Sequence, residues 1–595
     1  MKKSLNEEKE APIIKKLFFI WKSIGKYWWA ALLTPIVMAL EGIFVLQIPD
    51  LSADIIDYLK SVSDANEAVD MSVILNTSLW LVIYTLCALA CGILGVISAA
   101  TVSAGFTMNL KNRIFKKVDE FSFTNIDKYS SASLITRMNT DTQYVQFAFF
   151  MMLRIAFWSI AIFIYALIKA YRVSNQIGLV FLIAIPFVFI ALMIIHMSAH
   201  KHFERGVKEF DNINSITEEN LRGIRVVKSF TRESDEIKKF DIHNNALFKH
   251  FVRGETIVGL TSPVMMFAIY GVILFLSLIA SKYISLGTMT TGNLYELISY
   301  GLNIMQSLMM FSMVFVFFTI SRPSTNRIYE VLMEEPTILN PTNPIYEVKD
   351  GTVDFDHVYF KYNESSEKYV LDDVDLHIKS GETIGILGTT GSSKTSLISL
   401  IARLYDVSKG SVKVGGVDVR CYDIKSLRHN VSVVLQKNVL FSGTIKDNIR
   451  WGKEDATDEE IEKVCRQAKA DEFIESFPDK YDTYIEQGGS NVSGGQKQRL
   501  CIARALMKKP KILILDDSTS AVDTKTESQI RKAFKEELPE TTKIIIAQRI
   551  SSVEDCDRII VMEDGKINQI GTHKELLRSN EIYKEVYESQ QKGDE

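Results

Sequence analysis

Cysteine and proline are scarce in this 595-residue chain, with six of the first and twelve of the second. The cysteines (Cys87, Cys91, Cys421, Cys465, Cys501 and Cys556) are scattered without paired spacing, which argues against a disulfide framework and against a zinc site. Cys87 and Cys91, four apart in an apolar helical stretch, read as small core-filling residues. Neither sign of charge is in excess, and a net charge of −4 gives no hint of a nucleic-acid partner. The first twelve residues are polar and highly charged, so no signal peptide is expected. Helix breakers are few in residues 99–145 and 198–256, and both stretches read as long helices.

Apolar residues are plentiful, at 47%, but unevenly spread. The chain is too long for one core, and two to four domains are expected. Its first half carries apolar stretches near residues 28–49, 73–98, 146–168, 176–197, 257–280 and 296–318. Each reaches the roughly twenty residues that a membrane-crossing helix needs. Lysine and arginine crowd the N-terminal tail (Lys2 to Lys26) and the segments after the second and fourth spans, whereas 50–72 and 281–295 hold only Lys60 and Lys282. The positive-inside rule therefore puts both termini and the two long loops in the cytoplasm. Residues 13–27 mix lysines with aromatics, as a helix lying on the membrane would, or as the solvated start of the first span would. Glu41 lies mid-span, where a charge costs roughly 2.5–3.5 kcal/mol or more. It reads either as a contact for a cationic substrate or proton, or as a helix–helix hydrogen bond or a lumen-facing carboxyl.

The second half alternates short strands and helices. Ile384–Leu387 is an apolar strand, a loop of small residues follows (Gly388, Thr389, Thr390, Gly391, Ser392, Ser393), and a helix starts near Lys394, Thr395 and Ser396. That is nearly the P-loop pattern, in which backbone N–H groups and a helix N-terminus cradle phosphates. Lys394 would reach the β/γ-phosphates of ATP, and the Thr395 hydroxyl would help hold Mg²⁺. Ser393 stands where the pattern has glycine. Ile512–Leu515 is a second apolar strand, ending in the carboxylates of Asp516 and Asp517. It has the form of a Walker B segment, with Asp516 on Mg²⁺ and Asp517 where an attacking water would be activated.

Upstream, Asn491-Val-Ser-Gly-Gly-Gln-Lys-Gln-Arg499 resembles the signature of ABC-transporter ATPases. Gln436 after strand Val431–Leu435, Tyr362 in Phe360-Lys-Tyr362, and Ser520-Ala-Val-Asp523 resemble that family's Q-loop, adenine-stacking aromatic and D-loop. The resemblance extends to the whole chain, which looks like a type I (type IV fold) ABC exporter half-transporter. It implies a membrane α-helical domain of six spans with long cytoplasmic extensions, followed by an α/β P-loop ABC nucleotide-binding domain. The expected domains are 1–27 (cytoplasmic segment), 28–320 (membrane), 321–350 (a linker with Pro336, Pro341 and Pro344) and 351–595 (ATPase). Coupling helices are expected at Asn125–Ser133 and Thr217–Arg225. In the family, ATP binds between the P-loop of one ATPase domain and the signature of another. Ser493, Gly494, Gly495 and Gln496 would thus serve a partner's nucleotide, while Thr395, Gln436 and Asp516 would hold Mg²⁺.

Three residues depart from the family pattern at one site. Ser393 replaces glycine, Asp517 replaces a glutamate one methylene longer, and Gln548 replaces a histidine that contacts the γ-phosphate. These departures lead to the expectation of a degenerate-site subunit of a bacterial heterodimeric multidrug-type exporter, paired with a second, different half-transporter in the plasma membrane. The expected activity is ATP-driven export of amphipathic drugs, lipids or peptides. Import of siderophores by the same fold and an ATP-sensing regulatory subunit are the alternatives. No peptidase domain precedes residue 28, which weighs against a peptide-processing exporter.

Overall fold

A computed structural model of the chain describes residues 12–364, 366–389, 391–517 and 523–593. It divides into two compact units, residues 1–119 with 131–334, and residues 120–130 with 335–595. Lys2, Lys3 and Lys9 of the N-terminal tail, Thr390 of the P-loop and Ser520–Val522 of the D-loop lie outside the described residues.

In the first unit, six helical runs among the described residues are long and apolar enough to cross a membrane: Lys15–Ala65, Met71–Asp119, Ser131–Val173, Ile183–Arg222, Glu233–Ser285 and Thr291–Met333. Their outer faces are apolar. Leu75 is 64% exposed, Leu86 57% and Ile183 77%, a surface suited to lipid rather than water. Their inner faces use small residues, including Ala166, Ala170, Ala280 and Gly105, all buried. A Cβ on Gly105 would sit 2.3 Å from the Tyr27 ring, so only glycine lets that helix approach so closely. The first unit therefore has the make-up of a multi-pass membrane domain.

Several polar groups bolt the spans together. Fully buried Asp141 accepts from Ser324 Oγ (2.8 Å) and Arg327 Nε (2.7 Å), and Asp50 is bonded by both Lys169 and Tyr300. Glu41 lies against the neighbouring helix, where a Cβ placed on Gly92 would fall 3.3 Å from its Oε1. The segment from Ile13 packs on the spans: Ile20 is fully buried, and Arg113 donates to Ser23 Oγ at 2.7 Å. Asn175–Arg222 and Glu233–Gly259 run antiparallel, bonded at Glu209–His243 (2.7 Å) and Glu219–Lys239 (3.0 Å). The turn between them is the short helix Ile224–Ser229. The expected helix at Thr217–Arg225 is thus displaced toward the C-terminus, because the long helix continues to Arg222 before Gly223 interrupts it.

The second unit contains a six-stranded sheet in the order β12-β11-β3-β10-β9-β6. Its strands are β3 (Thr383–Gly388), β6 (Val431–Val434), β9 (Ile512–Asp516), β10 (Thr542–Ile546), β11 (Arg558–Glu563) and β12 (Lys566–Gly571). All pairs in it are parallel except β11 with β12. The continuous apolar runs of β9 and β10 suit strands covered on both faces. A second, antiparallel sheet joins β1 (Val353–Phe360), β2 (Leu371–Ile378), β4 (Lys409–Val414) and β5 (Val417–Asp418) in the order β2-β1-β4-β5. The helix Phe123–Tyr129 belongs to this unit. Its capping box of Ser122 and Asn125 is bonded to the backbone at Glu335 (3.0 Å) and Thr337 (3.2 Å).

Candidate nucleotide-binding site

Parallel pairing decides where the chemistry lies. Because β3, β6, β9 and β10 point the same way, the residues just past their C-terminal ends converge on one edge of the sheet, the usual place for a ligand in an open α/β sheet. Those residues are Thr389 and Gly391 to Ser393, Gln436, Asp516 with Asp517, and Gln548.

The loop after β3 is shaped for close backbone approach. A Cβ on Gly388 would fall 2.4 Å from the Met562 carbonyl, whereas one on Gly391 would project into open space at φ +89°. Ser393 caps the helix Lys394–Ile401 in the left-handed region, φ 72° and ψ 22°. The conformation that glycine would supply is therefore kept, at a cost of about 1–2 kcal/mol in strain. Lys394 Nζ donates to the carbonyls of Gly388 (2.8 Å) and Thr389 (3.0 Å), and Ser392 Oγ lies at 3.3 Å. Burial holds its pKa below the usual lysine value, with the Asp516 and Asp517 carboxylates opposing that shift.

Thr395 Oγ1 donates to Asp516 Oδ2 at 2.9 Å. Burial raises the Asp516 pKa, and the bond from Thr395 only partly offsets this. A hydroxyl and carboxylate oxygens, beside an ammonium group and a cradle left open at Gly391, fit Mg²⁺ and the phosphates of ATP.

Asp517 is the hub of this edge. Its Oδ2 accepts from Gln548 Nε2 at 2.9 Å and from Gln436 Nε2 at 3.5 Å, and its backbone carbonyl accepts from buried Gln498 at 3.4 Å. The loop carrying Gln548 is held in turn by Gln590, which donates to the Gln548 carbonyl (2.8 Å) and accepts from Ile550 N–H (2.9 Å). Sequence reasoning missed Gln498 and Gln590. The only signal for Gln498 was its place in the signature segment, and Gln590 sits on a C-terminal helix with no motif.

Gln548 and Gln436 cannot titrate, so neither side chain donating to Asp517 Oδ2 is a group that changes charge near neutrality. Gln548→His would introduce one, with an ordinary pKa near ~6.5. The variant's ATPase rate should then change several-fold between about pH 6 and 8, along an inflection that the unaltered chain lacks. Paired pH–rate profiles check this, and superimposable profiles would mean that residue 548 does not reach the reacting phosphate.

The signature residues are placed elsewhere. Ser493 caps the helix Gly494–Met507, accepting from Gln496 N–H at 3.3 Å while its own N–H donates to Gln496 Oε1 at 2.8 Å. Both bonds of this cap close on its own helix. Tyr362, just beyond β1, is 46% exposed, and its hydroxyl shares a 2.9 Å hydrogen bond with Ser396 Oγ.

Comparison with known proteins places this geometry. The ABC transporter family matches residues 371–520, and the family described as ABC transporter transmembrane region matches residues 32–309. The uncharacterized ABC transporter ATP-binding protein YfiB of Bacillus subtilis (strain 168) is 36% identical over 506 residues, which span 85% of this chain and 88% of that protein. The similarly described YknU of the same strain is 32% identical over 483 residues, 81% of this chain and 82% of that protein. Among solved structures, a bacterial Atm1-family ABC exporter with ATP bound shares the fold, with a TM-score of 0.80 at 23% identity. That match covers 94% of this chain and 98% of the other.

The structural likeness corrects two linked expectations. The chain was expected to be the degenerate-site subunit of a heterodimeric exporter, with a different half-transporter as partner; the fold matched is instead close to that of a homodimeric exporter. The geometry supplies the physical reason. Ser393 takes up the left-handed conformation of the glycine it replaces, and Gln548 joins Gln436 on the Asp517 carboxylate. The three departures are thus accommodated locally, Ser393 by its turn and Asp517 and Gln548 by the bond between them, which removes the reason for reading this copy as the spent half of an unequal pair.

Proposed function

The chain belongs to the ABC transporter family, and from that premise we propose that two identical copies of it export amphipathic compounds such as drugs, lipids or peptides. Membership carries ATP-driven transport across a membrane by an exporter-type fold, with Mg-ATP bound and hydrolysed in the P-loop domain. In this reading Lys394 neutralises the β/γ-phosphates, while Thr395, Asp516 and Gln436 hold Mg²⁺. Asp517 orients the attacking water, Gln548 donates a neutral hydrogen bond to the γ-phosphate, and Tyr362 stacks on adenine. Gly388–Ser396 wraps the phosphates, and Ser493–Gln496 of one copy covers the nucleotide of the other. The turn helix Ile224–Ser229 supports a second copy. It has no buried residue, and Val226 (59%) and Phe230 (74%) are open to a partner's ATPase unit.

The observation that carries the substrate class is a cavity of about 830 Å³ in the membrane unit. Gln143, Tyr144, Phe147, Phe150 and Phe317 are among its walls, no charged side chain lines it among the described residues, and Phe147 and Phe317 meet edge-to-face at 4.9 Å. Such walls suit a molecule with an aromatic or acyl body and few polar groups. They offer no cation to an anionic iron chelate, which counts against import of one.

Reconstituted inside-out vesicles test the proposal. ATP should drive uptake of a fluorescent lipophilic dye. Phe147→Ala should raise the half-saturating dye concentration and lower flux about tenfold at low dye, since Phe147 is 44% exposed and covering such a side chain with an apolar ligand is worth up to about 1.5–3 kcal/mol. Dye movement in the opposite direction would establish import. Hydrolysis without any flux would favour a regulatory subunit.

A further inference from the structure

One tyrosine lies between the ATPase site and the helix contributed by residues 120–130. The helix Lys394–Ile401 begins with the phosphate-facing lysine, and the chain leaves its far end through a fixed turn. There Arg403, at φ 47°, bonds Asp406 (Nε–Oδ1 2.9 Å), and its carbonyl accepts from Arg428 at 2.8 Å. Tyr405 follows on that turn, half-buried. Its ring meets the Tyr362 ring edge-on at 5.1 Å and the Phe360 ring at 5.7 Å. On its other side the ring lies 6.0 Å from Phe123, and its hydroxyl donates to Asp127 Oδ2 at 2.7 Å. Phe123 and Asp127 are both on the helix Phe123–Tyr129, which Ser122 and Asn125 also fasten to Glu335 and Thr337. All these residues belong to the second compact unit.

We propose that Tyr405 is a positioning residue that ties the Tyr362 base site to the helix Phe123–Tyr129, so that a nucleotide seated on Tyr362 fixes where that helix is held. The proposal rests on the reading that Tyr362 receives the adenine ring. Edge-to-face aromatic pairs have preferred geometries, so re-aiming Tyr362 against a base displaces the ring packed on its edge. Tyr405 is held from behind by a hydrogen bond to a carboxylate, the stronger kind of neutral-donor bond. Burial, followed by the bond to Asp127, raises the tyrosine pKa, so the hydroxyl stays a donor at any physiological pH. Displacement of the ring is therefore delivered to Asp127. The phosphate end and the base end of one nucleotide thus act on the two ends of a single short helix and its turn.

The test uses the full-length chain in vesicles, with dye flux and phosphate release measured on the same preparation. Tyr405→Phe keeps the ring and removes the bond to Asp127, and Asp127→Asn weakens the same bond from the other side. Each should lower dye moved per ATP hydrolysed at least fivefold, with KM for ATP within twofold of the unaltered chain. The double variant should lose no more than either single variant, as expected for one shared interaction. A flux-to-hydrolysis ratio unchanged in Tyr405→Phe, or losses that multiply in the double variant, would overturn the proposal. If Tyr405→Phe proves unstable, Asp127→Asn reads the same bond. Tyr362→Ala reports separately on the underlying reading: unaltered ATP affinity there removes the adenine end, and the proposal with it, even if Tyr405 and Asp127 still behave as a pair.

Discussion

Asp517→Asn should lower ATP hydrolysis by the purified chain by about a hundredfold or more, the usual contribution of a positioned general base. In a pair of identical copies both sites carry the change, so no intact site remains to sustain turnover. The substitution is conformationally mild. Residue 517 sits at φ 47°, a left-handed position that asparagine tolerates as readily as aspartate. Its backbone N–H bond to the Ile546 carbonyl (3.0 Å) and the Gln498 bond to its own carbonyl do not depend on the side chain. Nucleotide should therefore still bind, through Lys394, Thr395 and Asp516. Phosphate release at saturating Mg-ATP, beside a nucleotide titration, separates chemistry from binding. Retention of more than half the turnover would place the attacking water elsewhere.

Gly494→Asp should be equally damaging for a different reason. Gly494 is the first residue of the fourteen-residue helix that Ser493 caps. A carboxylate in a first helical turn favours the helix itself, by about 0.3–1 kcal/mol, so thermal melting should hold or rise. Activity should nevertheless fall on the order of a hundredfold or more, because in the proposed pair the same carboxylate would oppose the phosphate of the nucleotide that this helix end would cover. Complementation sharpens the test. Lys394→Ala and Gly494→Asp are each expected to be inactive, yet a mixed pair places both defects at one site and leaves the other whole. Co-expression should therefore recover turnover that neither variant has alone. Failure to recover any would show that P-loop and signature do not meet across two copies.

The parts of the molecule legible in sequence were those whose physics is local. Six apolar stretches announced the spans, since a bilayer-crossing helix must be apolar over its own length. Ile384–Thr395 and Ile512–Asp517 announced a phosphate site, since strand, small-residue loop and helix are adjacent in the chain. What was not legible depended on distant partners. Tyr405 and Asp127 are 278 residues apart, and neither lies in a recognisable motif. Ser393 and Gln548 were read as damage because each was weighed against a pattern position by position. Only the fold shows Ser393 in a left-handed turn and Gln548 bonded to the same carboxylate oxygen that accepts from Gln436. The turn helix was misplaced at its start because amphipathic sequence without proline continues from Ser198 to Gly223, and nothing local distinguishes the last turn of a long helix from the first of a short one.

The insertion of residues 120–130 into the second unit also dictates an order of events at the ribosome. Phe123 and Asp127 are synthesised early, whereas Tyr405 emerges 278 residues after Asp127. At about 5–20 residues per second, that interval is roughly 15–55 seconds. Throughout it the nascent membrane unit must present Phe123 and the Asn125 amide, which is 1% exposed in the finished protein, with no docking face yet made to receive them. The ATPase unit therefore reaches its full set of contacts only when it meets a segment made much earlier in the chain. It closes around a segment that has been waiting since early in translation, and a chain truncated before residue 335 leaves that segment permanently uncovered.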